Sequence, residues 1–162
     1  MKFTSHEEYG LRCLLQIGRR GRGVGVTIPE ISRAEGLSTA YTAKLLRILR
    51  NAGFLKSARG QAGGYTLARP PEQIIIGDVL AELGGRLFEG DFCERHSGQE
   101  ACCTHSSDCS IRSLWTTVQT AVDRVLSRTT LQDLLRAEES ACPPQTPLVH
   151  IRPSGPRRAE VL

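Results

Sequence analysis

The sequence predicts a mainly α fold of the α+β type, a winged helix-turn-helix followed by one long helix standing apart from it. Three observations predict this class. Two short helical segments are joined by Gly36-Leu37-Ser38, the spacing of a helix-turn-helix. Two short β-prone runs then flank the glycine-rich stretch SARGQAGG, as in a hairpin. Finally, apolar residues recur every three or four positions over 111–126, the period of an amphipathic helix. With 162 residues, 40% of them hydrophobic and 23% charged, the chain has the size and composition of one ordinary domain with a core. An aromatic share of 5% means a core of Leu, Ile, Val and Ala.

The elements follow in order. Residues 5–20 read as a first helix, with Tyr9, Leu11, Leu14, Leu15 and Gly18 as its buried stripe. GRGVGV, at 21–26, is a loop. Thr27-Ile28-Pro29-Glu30 is a capping box with Pro in the first turn, starting a short helix that turns Ile31 and Ala34 inward and stops at Gly36. Ser38 caps a third helix, 39–52, which ends at Gly53. Strands at 54–56 and 65–67 form the hairpin, and 70–85 give a Pro-marked turn, an apolar stretch and a small helix. The long helix follows, and Thr130-x-x-Asp133 caps a last short one. Beyond Cys142 the chain is Pro-rich without apolar periodicity, the composition of a disordered tail.

Charge divides the chain. Residues 1–69 carry net +8, 70–142 net −6 and 143–162 net +2, so the first half is built to meet a polyanion. The third helix says how. At 100° per residue, Thr42, Leu45, Leu46 and Leu49 share the core side, while Ala40, Lys44, Arg47 and Asn51 face away, flanked by Tyr41 and Arg50. Small and basic residues there suit a major groove, with Ser38 and Thr39 at the entering end. Arg59 and Gly60 at the hairpin tip suit a minor groove, whose narrow A·T-rich form attracts guanidinium. Double-stranded DNA is the expected partner. The stripe Ile111, Leu114, Trp115, Val118, Val122 and Val125 needs covering. A second copy is the economical cover, and a two-fold homodimer also presents two recognition helices to a palindromic site. No apolar run approaches the roughly 20 residues of a membrane span, and MKFTSHEEYG lacks the apolar stretch of a signal peptide. A cytoplasmic protein without a membrane partner is expected. No phosphate-binding loop, dinucleotide fingerprint, HExxH or nucleophile–base pair points to an enzyme or a small-molecule substrate.

Four of the six cysteines, Cys93, Cys102, Cys103 and Cys109, fall within 17 residues just before the long helix. In a chain without an export signal, such clustering points to metal or redox chemistry. The spacing C-x8-CC-x5-C lacks the C-x2-C pair of a zinc finger, and soft thiolates favour iron–sulfur clusters, zinc or copper(I). His96 and His105 share the loop; Cys13, inside the first helix, reads as an apolar filler, and Cys142 borders the tail.

Here the sequence resembles a known family, the Rrf-two winged-helix repressors, and within it the IscR-like and NsrR-like branches. The resemblance covers 1–138 and rests on MKFTSHEEYGLRCLL, on IPEISRAEGLSTAYTAKLLRILRNAGFLKSARGQAGGYTLAR, and on the cysteine loop running into C-x5-W. It implies a homodimeric repressor whose hold on promoter DNA is controlled by an iron–sulfur cluster reporting iron–sulfur supply, nitric oxide or redox state. It also implies that Cys93, Cys103 and Cys109 are the cysteine ligands. The Cys93–Cys103 gap is four residues longer than the family's, which leaves Cys102 as a substitute. The IscR-like branch places a His three residues after the last Cys, where this chain has Arg112. The NsrR-like branch takes an acidic residue from the first helix of the other subunit, matching Glu8, with His6 and His105 behind it. That pattern implies a 4Fe–4S cluster over a 2Fe–2S one. The expected organisation is then a DNA-binding domain at 1–85, a cluster-binding loop at 86–110, a dimerisation helix with its short terminal helix at 111–140, and a disordered tail at 141–162. A zinc-bound regulator and a cluster-free thiol switch are the alternatives, each keeping the same DNA-binding half.

Overall fold

A computed structural model describes residues 4–21, 23–58, 63–85 and 109–140. The described residues form helices α1 (Ser5–Arg19), α2 (Ile28–Glu35) and α3 (Thr39–Asn51), strands β1 (Leu55–Ala58) and β2 (Gly64–Leu67), a 3-10 turn (Pro71–Gln73), and helices α4 (Ile76–Gly84), α5 (Ser110–Leu126) and α6 (Leu131–Ser140). The mainly helical class, the helix-turn-helix and its hairpin are therefore as the sequence predicts.

The caps explain the helix starts. Thr27 N donates to the Glu30 carboxylate at 2.8 Å, the reciprocal bond of a capping box. Ser38 Oγ accepts from Tyr41 N at 3.2 Å. Gly36 closes α2 at φ 66°, a left-handed turn that costs glycine little. β1 and β2 pair antiparallel from Leu55↔Leu67 to Ala58↔Gly64. The wing is tied to the body by a bridge between Val26 and Tyr65, in the loop read as GRGVGV. Gly64 makes that bridge possible: a Cβ there would lie 2.9 Å from the Val26 backbone.

α1 lies at the centre, touching α2, α3, α4, α6 and β2. Leu14, Ile17, Ile31, Leu45, Leu46, Leu49, Ile74, Val79 and Leu131 bury their side chains around it. Two expectations are corrected. The buried stripe of α1 is Gly10, Cys13, Leu14, Ile17 and Gly18 with Glu7, while Tyr9, Leu11 and Leu15 are half-buried. The stripe turns because Leu83 of α4 presses on Gly10 and Leu135 of α6 on Gly18. Ala34 is exposed; in α2 Ser32 goes inward with Ile31, its hydroxyl donating to Leu37 O in the turn.

The last helix also takes a place that periodicity leaves open. Leu131 and Leu135 of α6 are buried in the core of the first 85 residues, Leu131 N donates to Ile74 O and Ile76 N to Thr129 O, both at 2.9 Å. Arg19 of α1 holds Glu138 with two bonds of 2.6 and 2.9 Å. Among the described residues, α5 touches this body chiefly through α4.

Candidate nucleic-acid interface and cysteine centre

Most of the candidate DNA-facing residues lie on α3 or at its start. Its core side is the one expected, with Thr42, Leu45, Leu46 and Leu49 buried. The opposite side exposes Thr39, Ala40, Lys44, Arg47, Arg50 and Asn51. No salt bridge neutralises Lys44, Arg47 or Arg50 among the described residues. Three cations without an ion-pair partner among the described residues, Arg50 donating only to Asn51 Oδ1 at 3.5 Å, give the charge complement of phosphates. Ser38 is exposed too, but its hydroxyl oxygen is engaged as the cap of α3. Tyr41 is half-buried; its ring meets His6 edge-on at 5.5 Å and Tyr9 at 6.2 Å. The start of α1 thus braces the flank of α3, a contact no sequence pattern announced. Arg59 and Gly60 lie outside the described residues, between the two strands.

The thiols divide sharply. Cys13 is fully buried, and burial pushes its thiol up from 9.0 to about 12. Such a thiol stays protonated and is the filler expected. Cys109 is half-exposed at the N-cap of α5, where its sulfur accepts from Arg112 N at 3.3 Å. N–H groups directed at a ligating sulfur tune its metal. Cys93, Cys102, Cys103, Cys142, His96 and His105 lie outside the described residues.

Glu8 is exposed on α1, and its Oε1 accepts from Arg12 at 2.7 Å, one turn later. The Glu8 carboxylate in turn holds the Arg12 guanidinium above its usual range, through their hydrogen bond first and their charge second. Its neighbour Glu7 is buried, and Glu7 Oε2 accepts from Thr4 N at 2.6 Å. This is the capping box of α1, legible afterwards in Thr4-Ser5-His6-Glu7. Among the described residues no three metal-binding side chains gather within one chain. The two described candidates do have suitable chemistry: a half-exposed thiol with a helix-end N–H at its sulfur, and a solvent-facing carboxylate.

The long helix carries the remaining candidates. Ile111, Leu114, Trp115 and Val125 are 61%, 55%, 41% and 63% exposed, and Val118 and Val122 are half-buried. A face this apolar and this open is characteristic of an interaction surface. Among the described residues no helix is long and apolar enough to cross a membrane.

Comparison with known proteins gives a consistent result. The family model Rrf2, described as an iron-dependent transcriptional regulator, matches residues 3–137. The protein Rrf2 of Nitratidesulfovibrio vulgaris is 37% identical over 143 residues, covering 88% of this chain and 92% of that relative. Among solved structures, IscR of T. potens is 30% identical with a TM-score of 0.70, covering 90% of this chain and 93% of that one. CymR, the global cysteine regulator of B. subtilis, is 31% identical with a TM-score of 0.68, covering 85% and 98%.

Proposed function

Because the chain belongs to the Rrf2 family of transcriptional regulators, we propose that it is a cytoplasmic homodimeric repressor whose hold on promoter DNA is set by an iron–sulfur cluster. The relatives are transcriptional regulators rather than enzymes. The observation that carries the DNA-binding half is the basic face of α3, Lys44, Arg47 and Arg50, turned to solvent and without an ion pair among the described residues. Ser38, Thr39, Ala40 and Tyr41 enter the major groove with it, and Arg59 with Gly60 serves the minor groove. The second copy docks on α5 through Ile111, Leu114, Trp115, Val118, Val122 and Val125, a stripe too apolar to leave in water.

In this reading Cys93, Cys103 and Cys109 hold the cluster, with Cys102 able to replace Cys103, and Glu8 of the partner subunit completes the set. Support comes from the four cysteines within 17 residues and from the iron dependence in the family's description. When bound, the cluster supplies a redox-sensitive iron centre, 4Fe–4S in the reading preferred here. The chain's own residues do the rest. Cys109 ties the centre to the first turn of α5. Glu8 lies one residue from Tyr9, which touches Tyr41 of the recognition helix, so a change of Glu8's partner is felt beside α3. Couplings of this kind are worth about 1–3 kcal/mol.

A second reading is a thiol switch without metal. It is favoured by the similarity to a global cysteine regulator and by the half-exposed Cys109. One experiment separates the two: anaerobic purification with an absorption spectrum and counts of iron and acid-labile sulfide. Brown protein that loses its colour in Cys93→Ala, Cys103→Ala and Cys109→Ala supports the cluster. Colourless protein with reversible disulfide formation supports the switch, and stoichiometric zinc supports a zinc regulator.

A further inference from the structure

We propose that the groove between α6 and the base of the wing is a docking site for the chain's own C-terminal segment, residues 147–152. The groove is lined by residues from the end of α1, the end of β2, the 3-10 turn and α6, and its volume is about 670 Å³. That lies within the range of about 300–1,000 Å³ for ligand pockets, room for a few residues of extended chain. Leu67 and Pro71, both half-buried, supply its apolar lining together with Leu135. Arg19 and Glu138 also line it, but their charges cancel in an ion pair. Glu72 is exposed, makes no ion pair among the described residues, and leaves the groove a net negative charge.

Composition, charge and position name the occupant. Residues 141–162 lie outside the described ones. Their sequence holds the run Pro147-Leu148-Val149-His150-Ile151-Arg152, more apolar than a stretch that only stays in water requires. In an extended segment alternate side chains share a side, so Val149 and Ile151 can meet Leu67 and Pro71 while Arg152 turns toward Glu72. Residues 143–162 carry net +2, opposite in sign to the groove. The tether also has the right length. α6 ends at Ser140, two residues past Glu138 of the groove. Residues 141–146 can span up to about 20 Å, while Gln132 to Glu138 along α6 covers about 9 Å. So short a link holds the segment near the groove at an effective concentration on the order of 1 mM.

The test is cleavage of the full-length protein by thermolysin, which cuts before Leu148, Val149 and Ile151. The reference is a synthetic peptide of residues 141–162 with the same tail sequence, and fragments are read by mass. Cleavage at these bonds should be about tenfold slower in the full chain, as a groove affinity of about 0.1 mM gives against that effective concentration. Glu72→Arg, at an exposed position, should speed it about threefold, the worth of an exposed ion pair turned repulsive. Adding Arg152→Glu to Glu72→Arg should bring the protection back. Cleavage at the peptide's rate would leave the groove to another molecule and overturn the proposal. So would protection that fades on dilution, which would put a second copy's tail there. Protection indifferent to Glu72→Arg would place the segment elsewhere and overturn it equally.

Discussion

Cys13 and Cys109 carry the same thiol in opposite surroundings, and their environments set their chemistry. Cys13 is sealed among Leu14, Ile17 and their neighbours, with its thiol pushed up to about 12. In the unfolded chain it returns toward 9.0. The unfolded state therefore loses its proton first as pH rises, and stability from this group is complete below about pH 9 and declines above it. Cys13→Ala should remove that alkaline decline in urea unfolding series between neutral and alkaline pH while leaving any cluster colour intact. An unchanged alkaline slope would mean that another group causes it. Glu8 sits at the other extreme, a surface carboxylate sharing an ion pair with Arg12. Exposed pairs of this kind contribute little to folding. Glu8→Ala should leave the melting temperature of cluster-free protein unchanged and make the cluster of anaerobic protein more labile, read as faster bleaching in air. Equal bleaching rates would remove Glu8 from the ligand set.

α3 shows how much one element can announce of itself. Its cap Ser38, its stop Gly53 and its four core residues all follow from local pattern, because a helix fixes which residues share a face. Lys44→Ala and Arg47→Ala should each flatten the slope of log K against log salt by about 0.9, the release of one phosphate contact. A slope unchanged in both variants would put the DNA elsewhere. α1 and α6 depend on their neighbours instead. Tyr9, Leu11 and Leu15 have the right spacing for a core stripe, yet Leu83 and Leu135 approach the glycines and rotate it. α6 is fastened by Leu131, fully buried, and by the solvent-facing Arg19–Glu138 pair. Leu131→Ala should cost 2–5 kcal/mol by the usual range for buried leucines, roughly. Arg19→Ala should cost less than about 1 kcal/mol, as exposed ion pairs do. Urea midpoints rank the two, and the reverse order would show α6 held by charge rather than packing.

For the whole molecule the proposed dimer is decisive, since one helix-turn-helix reads only half of a palindrome. Val118→Asp places a charge in the middle of the α5 face, where an unpaired buried charge costs several kcal/mol. Sedimentation should then find monomers, or the protein should become insoluble, at concentrations where wild type is a dimer. A wild-type monomer at micromolar concentration would defeat the dimeric reading. The sequence by itself determined the class, the helix-turn-helix with its hairpin, the polarity of α3 and the gathering of cysteines. Each is a local matter of caps, period, charge and spacing. Only the tertiary structure decided which face of α1 is buried, that Ser32 rather than Ala34 turns inward, that Val26 clasps the wing at Tyr65, and that α6 returns to the core. Those outcomes depend on contacts between residues distant in the chain, such as Leu131 with Ile74 and Gly77 with Leu126. Periodicity says which residues of a helix lie together; it does not say what arrives to cover them.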